Sequence, residues 1–114
     1  MRVDEYEFGR IVIDGRRYES DLIVSGGRIR KRKKGGSRKL RSRYGHTPLS
    51  EHEELPWECR TMVVGTGFHG AMPVTEGVMA EAERRGVSLL ELPTTQALQH
   101  LNDENTSLVL HLTC

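Results

Sequence analysis

The sequence has few aromatic residues, only two cysteines and no long apolar run. Aromatic residues make up 5% of the 114 residues and apolar residues 36%. The apolar share lies below the globular average, yet it suffices for one modest core. No run approaches the roughly 20 apolar residues that a membrane-spanning helix needs. Cys59 and Cys114 lie far apart and form no zinc or redox motif, so we predict no metal site and no cofactor.

The sequence also shows no sign of a secretory signal or of a second domain. A secretory signal has an apolar stretch behind a basic head, and residues 1–5 show no such stretch. We therefore expect a cytoplasmic protein without a membrane span. A length of 114 residues favours one domain, residues 1–114, and is too short for most multi-domain enzymes.

Positive charge is concentrated in residues 28–43, which contain ten basic residues and no acidic one. The other seven basic residues of the chain face all sixteen acidic ones, so the remainder is acidic although the net charge is +1. Like charges at this density repel one another in a helix or on one strand face, so we predict an exposed, partly mobile segment. Its basic residues are Arg28, Arg30, Lys31, Arg32, Lys33, Lys34, Arg38, Lys39, Arg41 and Arg43.

Three kinds of partner suit such a segment. Nucleic acid offers phosphates, a membrane surface offers anionic lipid, and another protein offers an acidic surface. A solvated loop without any ligand is the fourth alternative. Proteins that bind single strands stack bases on aromatic side chains, and residues 28–43 contain none. Sequence-specific reading of RNA is therefore disfavoured, whereas non-specific electrostatic contact stays open.

Short β-rich runs fill the first third of the sequence. Residues 8–13 form one run, Asp14-Gly15 after it is a strong signal for a hairpin turn, and residues 17–19 return from that turn. These residues predict an N-terminal antiparallel hairpin. Residues 21–25 predict a further strand that ends at Gly26-Gly27, and the basic residues that follow are expected to extend an edge ribbon.

The last half alternates strands and helices. Apolar runs at 61–64, 87–92 and 107–112 predict strands, and residues 73–85 and 94–102 between them predict helices. This β-α-β-α-β order implies crossover connections and an at least partly parallel sheet. The predicted fold class is α/β, with three layers and a mixed central sheet of about five strands.

A glycine-rich loop after the first of these strands is the first candidate site. Its letters match a dinucleotide fingerprint between a strand and a helix, but Pro73 delays the helix and only one βαβ unit follows. A tight turn is therefore favoured over a dinucleotide site, and a backbone nest for a small anion lies between these alternatives. The candidate ligand loop consists of Gly65, Thr66, Gly67, His69 and Gly70.

Histidines near strand ends give the second candidate site. His46, His69 and His111 lie close to predicted strand ends or glycine loops, so we expect them to be able to meet at one edge of the sheet. A histidine–cysteine pair for nucleophilic catalysis is disfavoured against ordinary packing and capping roles. The candidate pocket edge consists of His46, Thr94, Asn102 and His111.

Several short runs together resemble one known family. They are Ile13 to Gly15, Tyr18 to Asp21, Tyr44 to Ser50, Val64 to Gly67, Pro93 to Ala97 with Asn102, and His111 to Cys114. In their order and spacing they resemble the small α/β domain of the adipogenesis-associated domain protein and of a mitochondrial respiratory complex I assembly factor. This resemblance covers nearly the whole chain, and it implies a three-layer α/β fold with no established activity. The positions that match its motifs are His46, Gly65, Gly67, Thr94, Asn102, His111 and Cys114.

Three functional hypotheses follow. The favoured one is a non-catalytic protein-interaction or assembly module, because no complete catalytic set is visible in the sequence. The first alternative is a binder of nucleic acid or another anion that uses residues 28–43. The second alternative is a small enzyme or cofactor binder at the loop from Gly65 to Gly70, where parallel strands place ligands beyond their carboxyl ends.

Overall fold

Eight strands form two sheets in the computed structural model, which describes residues 1–114. Three N-terminal strands make an antiparallel sheet in the order β1-β2-β3: β1 (Val3–Glu7), β2 (Arg10–Ile13) and β3 (Arg16–Tyr18). The other five, in the order β5-β4-β8-β6-β7, make a central sheet: β4 (Leu22–Ser25), β5 (Arg28–Lys31), β6 (Thr61–Gly65), β7 (Ser88–Leu92) and β8 (Thr106–Leu110). The predicted α/β class with a mixed five-stranded sheet is confirmed.

Strand directions follow from the connections. β4 pairs antiparallel with β5 and β8, whereas β6 pairs parallel with both β7 and β8. Helix α2 (Glu76–Arg85) leads from β6 to β7, and α3 (Thr94–Ala97) with the 3-10 turn Leu98–His100 leads from β7 to β8. A 3-10 turn at Arg38–Leu40 and the short helix α1 (Arg41–Tyr44) lie in the basic segment.

Alternating side chains of the central sheet divide the core in two. Val63 on β6 and Leu108 on β8 pack on one face with Ile11 of β2. Met62 and Val64, which flank Val63 on β6, pack on the other face with the buried residues of α2. Because successive strand residues point to opposite faces, the central sheet is the middle of three layers.

Helix α2 begins three residues later than the sequence predicts. Pro73 and Thr75 are held in a short parallel bridge, in which the amide of Leu49 donates to Pro73 and the amide of Thr75 donates to Leu49. Gly86 ends the helix with a φ of +68°, the left-handed conformation that favours glycine. The bridge holds Leu49 beside α2, where Leu49 and Leu55 pack in the same part of the core as the buried residues of the helix.

The basic segment does not lie wholly in solvent. Arg32 retains only 2% of its exposure, so the prediction of an exposed segment is wrong at this residue. The S-x-x-E spacing of Ser50 and Glu53 predicts a capped helix, but these residues form a turn. Both differences have one cause, since Glu53 pairs with Arg32 instead of capping a helix. None of the helices has the length and apolar character that crossing a membrane requires.

Candidate functional site

Arg32 is the centre of a buried ionic network. Its Nε and Nη2 donate to the two carboxylate oxygens of Glu53, both at 2.8 Å, and its Nη1 donates to Oδ2 of Asp21, also at 2.8 Å. Nη2 donates in addition to the carbonyl of Pro48 at 3.0 Å. Burial lowers the pKa of Arg32, but the hydrogen bonds and charges of Glu53 and Asp21 outweigh it and raise the pKa. The guanidinium is therefore a fixed, paired charge inside the protein.

Glu53 also holds the far end of the loop that follows Arg32. Ser37 is buried, and its Oγ donates to Oε2 of Glu53 at 2.5 Å and contacts Oγ of Ser50 at 2.6 Å. One carboxylate thus binds the residue before the loop 33–36 and the residue after it. This arrangement fixes the backbone of the loop although its side chains are charged and mostly exposed.

Asp21 completes the network with three positively polarised neighbours. Its Oδ2 accepts a hydrogen bond from Nδ1 of His111 at 2.7 Å and lies 3.2 Å from Nζ of Lys34. Its Oδ1 accepts a hydrogen bond from the amide of Leu112 at 3.0 Å. Burial raises the pKa of Asp21, but the hydrogen bond from His111 and the other partners outweigh it and hold the pKa well below its usual range. Asp21 is thus an ionised carboxylate whose acceptor positions are occupied.

A pocket of about 550 Å³ opens beside this network. We call it the cationic pocket, because five basic residues line it: Lys31, Arg32, Lys33, Lys34 and Arg38. Gly35, Ser20 and Thr113 also line it. Arg32 and Lys34 are paired with carboxylates, whereas Lys31, Lys33 and Arg38 form no ion pair. Of the two acidic residues in its wall, Glu19 pairs with Arg17 and Asp21 belongs to the network. The pocket therefore offers unpaired cations next to carboxylates that are already neutralised.

The glycine-rich loop has a different environment. The amides of Thr66, Gly67 and Gly70 donate to Leu92, to Oγ1 of Thr94 and to Gly67. The amide of Phe68 donates to the carbonyl of Thr113 at 3.1 Å. These donors are therefore used within the chain, and among residues 66–70 only the amide of His69 donates to no group of the protein. The ligand loop and the cofactor hypothesis attached to it stay predictions.

The residues of the predicted pocket edge separate into two groups. Oγ1 of Thr94 donates to the carbonyl of His111 at 2.6 Å and accepts the amide of Gly67, so these three residues do meet at one edge of the sheet. Nε2 of His111 lies 3.4 Å from Oγ1 of Thr113, and Nδ1 of His46 lies 3.6 Å from Sγ of Cys114. The two histidines are thus linked through consecutive residues of the last segment.

Asn102 and His69 lie away from this group. Asn102 precedes β8, whereas His111 follows it, and a five-residue strand separates its two ends by about 17 Å. Asn102 bonds the amino group and the carbonyl of Met1. The His69 ring packs against the rings of Phe8 and Phe68, with centroids 6.0 and 5.2 Å apart. No group of three His, Cys, Asp or Glu side chains is placed to hold a metal ion.

The other basic residues lie outside the cationic pocket. Arg28 begins β5 at the opposite end from Lys31, and Arg30 donates to the carbonyl of Glu54 at 3.0 Å. Lys39 and Arg41 lie in the short helical turns beyond Arg38. Arg43 lies over the ring of Tyr44, 5.8 Å from its centroid. The ten basic residues therefore do not form one continuous charged track.

Sequence reasoning missed Asp21 and Glu53 as partners of Arg32. For Asp21 a signal was present, because a strand that ends at Gly26-Gly27 and returns through a two-residue turn places residue 32 opposite residue 21. The structure has this register, in which Leu22 faces Lys31 and the amide of Arg32 donates to the carbonyl of Asp21. Glu53 comes from a distant irregular segment, so no local pattern indicates its pairing with Arg32.

Comparison with protein families places the chain in a family whose function is not established. Residues 3–107 match the family described as protein of unknown function (DUF498/DUF598). This match covers most of the chain, so the chain belongs to that family. No curated protein matches the sequence.

Solved structures share the whole fold. The crystal structure of a conserved hypothetical protein from Pyrococcus horikoshii OT3 is 25% identical, with a TM-score of 0.81 over 100% of both chains. A structure named MT938 is 24% identical, with a TM-score of 0.66 over 98% of this chain and 97% of the other. A third, described as an outer membrane protein from Bartonella henselae, is 12% identical, with a TM-score of 0.67 over 98% and 94%. The last two likenesses show the fold alone.

Proposed function

We propose that this member of the DUF498/DUF598 family is a non-catalytic interaction module that binds an acidic segment of a protein partner in the cationic pocket. One observation carries this proposal: Lys31, Lys33 and Arg38 have no carboxylate partner. A carboxylate that enters the pocket therefore gains charge-assisted hydrogen bonds without displacing an existing ion pair. Such groups also raise the rate of encounter with an acidic partner.

The buried network prepares the pocket for binding. Arg32 and Ser37 are both held by Glu53, so the loop between them is ordered before a ligand arrives. Ordering a loop during association costs free energy that would otherwise weaken the complex. A loop that is fixed in advance avoids most of this cost.

The shape and charge of the molecule favour an acidic protein segment over nucleic acid. The three unpaired cations line one pocket of about 550 Å³ and are not spread along an extended groove. Residues 28–43 contain no aromatic side chain for base stacking. The remainder of the chain is acidic, so a long polyanion that extends beyond the pocket would be repelled.

The resemblance stated above adds support for a role in assembly. The family resemblance includes a domain of a respiratory complex I assembly factor, and an assembly factor acts by contacting other proteins. We extend the interaction role to protein assembly on this ground. The segment 28–43 then supplies the contact, within the single domain 1–114.

Binding to a labelled peptide tests the proposal. The probe is a short, fluorescein-labelled peptide rich in Asp and Glu, measured by anisotropy at low and at physiological salt. Replacing Lys33→Glu and Arg38→Glu should weaken binding roughly tenfold or more, since each hydrogen bond to a charged group contributes about 1.5–3 kcal/mol. The matched control is Arg28→Glu with Arg60→Glu, which makes the same change in charge on two exposed residues at the other end of the sheet.

Each outcome decides between the hypotheses. A loss confined to the pocket variant supports the proposal. An equal loss in the control variant, or no binding of the peptide, overturns it. Tighter binding of duplex DNA or RNA with a steep dependence on salt overturns it in favour of nucleic acid.

A further inference from the structure

The turn from Lys34 to Ser37 leaves backbone donors unused beside the cationic pocket. The amide of Ser37 donates to the carbonyl of Lys34 at 2.8 Å and closes the turn. The amides of Gly35 and Gly36, between them, donate to no group of the protein. Gly35 lines the pocket, so its unpartnered N–H lies at the same wall as the unpaired cations.

The two glycines of this turn have different surroundings. A Cβ built on Gly36 would collide with the carbonyl of His52, so a side chain is excluded there. A Cβ built on Gly35 would meet no atom within 4 Å, and its φ lies outside the left-handed region. Neither packing nor backbone conformation therefore requires glycine at position 35. The feature of residue 35 that bears on binding is therefore its unpartnered backbone amide at the pocket wall.

Donors of three kinds converge on the pocket. Lys31 and Lys33 bring ammonium groups, Arg38 brings a planar guanidinium, and Gly35 brings an amide. A carboxylate has one negative charge, so it leaves most of the charge of the three unpaired cations uncompensated. A phosphate monoester has a charge of about −1.5 to −2 and three strong acceptor oxygens, and its geometry suits two parallel hydrogen bonds from arginine.

We infer that the acidic segment bound by the cationic pocket carries a phosphate monoester, which Arg38, Lys33 and the Gly35 amide bind together. This inference rests on the proposed function and names the group that the same site selects. Backbone amides of turns are established anion donors in proteins. The carboxylates in the pocket wall do not oppose a dianion, because Glu19 is paired with Arg17 and Asp21 with Arg32.

Three versions of one peptide test the preference. They carry phosphoserine, glutamate or serine at the central position of an otherwise identical acidic sequence. We expect the phosphoserine peptide to bind at least about tenfold more tightly than the glutamate peptide. Inorganic phosphate, titrated into the 15N-labelled protein, should shift the amide resonance of Gly35, whereas acetate at equal ionic strength should shift it much less.

Two variants at residue 35 isolate the backbone donor. Gly35→Pro removes the N–H, and this costs no hydrogen bond in the free protein because the amide has no partner. Gly35→Ala keeps the N–H, and its side chain enters open space. We expect the alanine variant to retain the preference for phosphoserine and the proline variant to lose several-fold of it.

A second substitution keeps the test decisive if the proline variant does not fold. Lys31→Gln removes one of the unpaired positive charges and keeps a polar side chain. The phosphoserine peptide should lose several-fold more affinity than the glutamate peptide, because a phosphate monoester has a charge of about −1.5 to −2 and a carboxylate only −1. An equal loss for both peptides would contradict the inference.

The results separate this inference from the proposed function. If both acidic peptides bind equally well, the inference fails and the interaction module stands. If neither peptide binds and phosphate causes no shift, both fail. If phosphate shifts Gly35 but no peptide binds, the phosphate site stands, its source is a small phosphate ester, and the protein partner is ruled out.

Discussion

The molecule contains two loops rich in glycine, and they differ in what their backbone donors bind. In the loop from Gly65 to Gly70, four of the amides donate to β7, to α3, to the last segment and to the loop itself. In the loop 33–36, the amides have no partner within the protein, and the ends are held by Glu53. The first loop resembles a ligand motif in its letters, yet the second has more amides without a partner. Glycine spacing alone therefore does not show which loop has backbone donors available.

Removing the carboxylate of Glu53, which holds both ends of the loop 33–36, should have the largest effect on stability. Glu53→Ala leaves the buried Arg32 without its two-pronged partner and releases Ser37. Removing one partner of a buried ion pair costs about 3–5 kcal/mol, so the free energy of unfolding should fall by that amount. Urea denaturation measures it, and binding of the acidic peptide should weaken at the same time.

Glu54→Ala is the matched control for Glu53. Glu54 is an exposed neighbour that makes no ion pair through its side chain. A surface change of this kind alters the free energy of unfolding by about 0.5 kcal/mol or less. Similar denaturation midpoints for the two variants would show that the buried network does not stabilise the fold.

The two loops should respond oppositely when a methyl group is added. At Gly67 the φ is +114° and a Cβ would collide with the carbonyl of Thr113, so Gly67→Ala combines backbone strain with overpacking. We expect a loss of about 2 kcal/mol or more. Gly35→Ala should change stability by less than about 1 kcal/mol, and towards stabilisation, because it restricts only the unfolded chain. Thermal unfolding of both variants checks the contrast, and a Gly67→Ala protein as stable as Gly35→Ala would contradict it.

The smallest expected effect is the loss of stability that the protonation of Asp21 causes at low pH. The pKa of Asp21 is lowered on folding because its partners outweigh its burial. Asp21 therefore stabilises the fold fully at pH values above its pKa in the unfolded chain, about 3.9, and this stabilisation is lost as the pH falls below that pKa. Each pH unit below that value removes about 1.4 kcal/mol, so the loss is about 1 kcal/mol at pH 3. The difference in unfolding free energy between the wild type and Asp21→Asn should narrow by that amount between pH 7 and pH 3. A difference that stays constant would show that Asp21 is not held ionised by the fold.

Much of the fold could be predicted because its signals are local. The Asp14-Gly15 turn, the Gly86 helix end and the alternating strands each depend on residues near one another in the sequence. The late start of α2 could not be predicted, since Pro73 pairs with Leu49 across a loop of irregular structure. Tertiary bridges of this kind override helix patterns without leaving a periodic trace.

The candidate site was harder to predict for the same reason. All ten basic residues of 28–43 look alike in composition, and contacts with Asp21 and Glu53 distinguish Arg32 as buried. Thr94, Gly67 and His111 do meet, as expected of residues that follow parallel strands. Asn102 does not join them, because the predicted helix ends at the other end of β8.

The order of strands in the central sheet also bears on how the protein is made. β8 comes after the other seven strands in the sequence, yet it lies between β4 and β6. Until it emerges from the ribosome, β5-β4 and β6-β7 are two separate ribbons that have no common strand to join them. Until then the edges of β4 and β6 that β8 covers have no partner, and the nascent chain must keep them from non-native pairing. The two arginines and the lysine of β5 guard only the outer edge of the first ribbon, which stays exposed in the folded sheet.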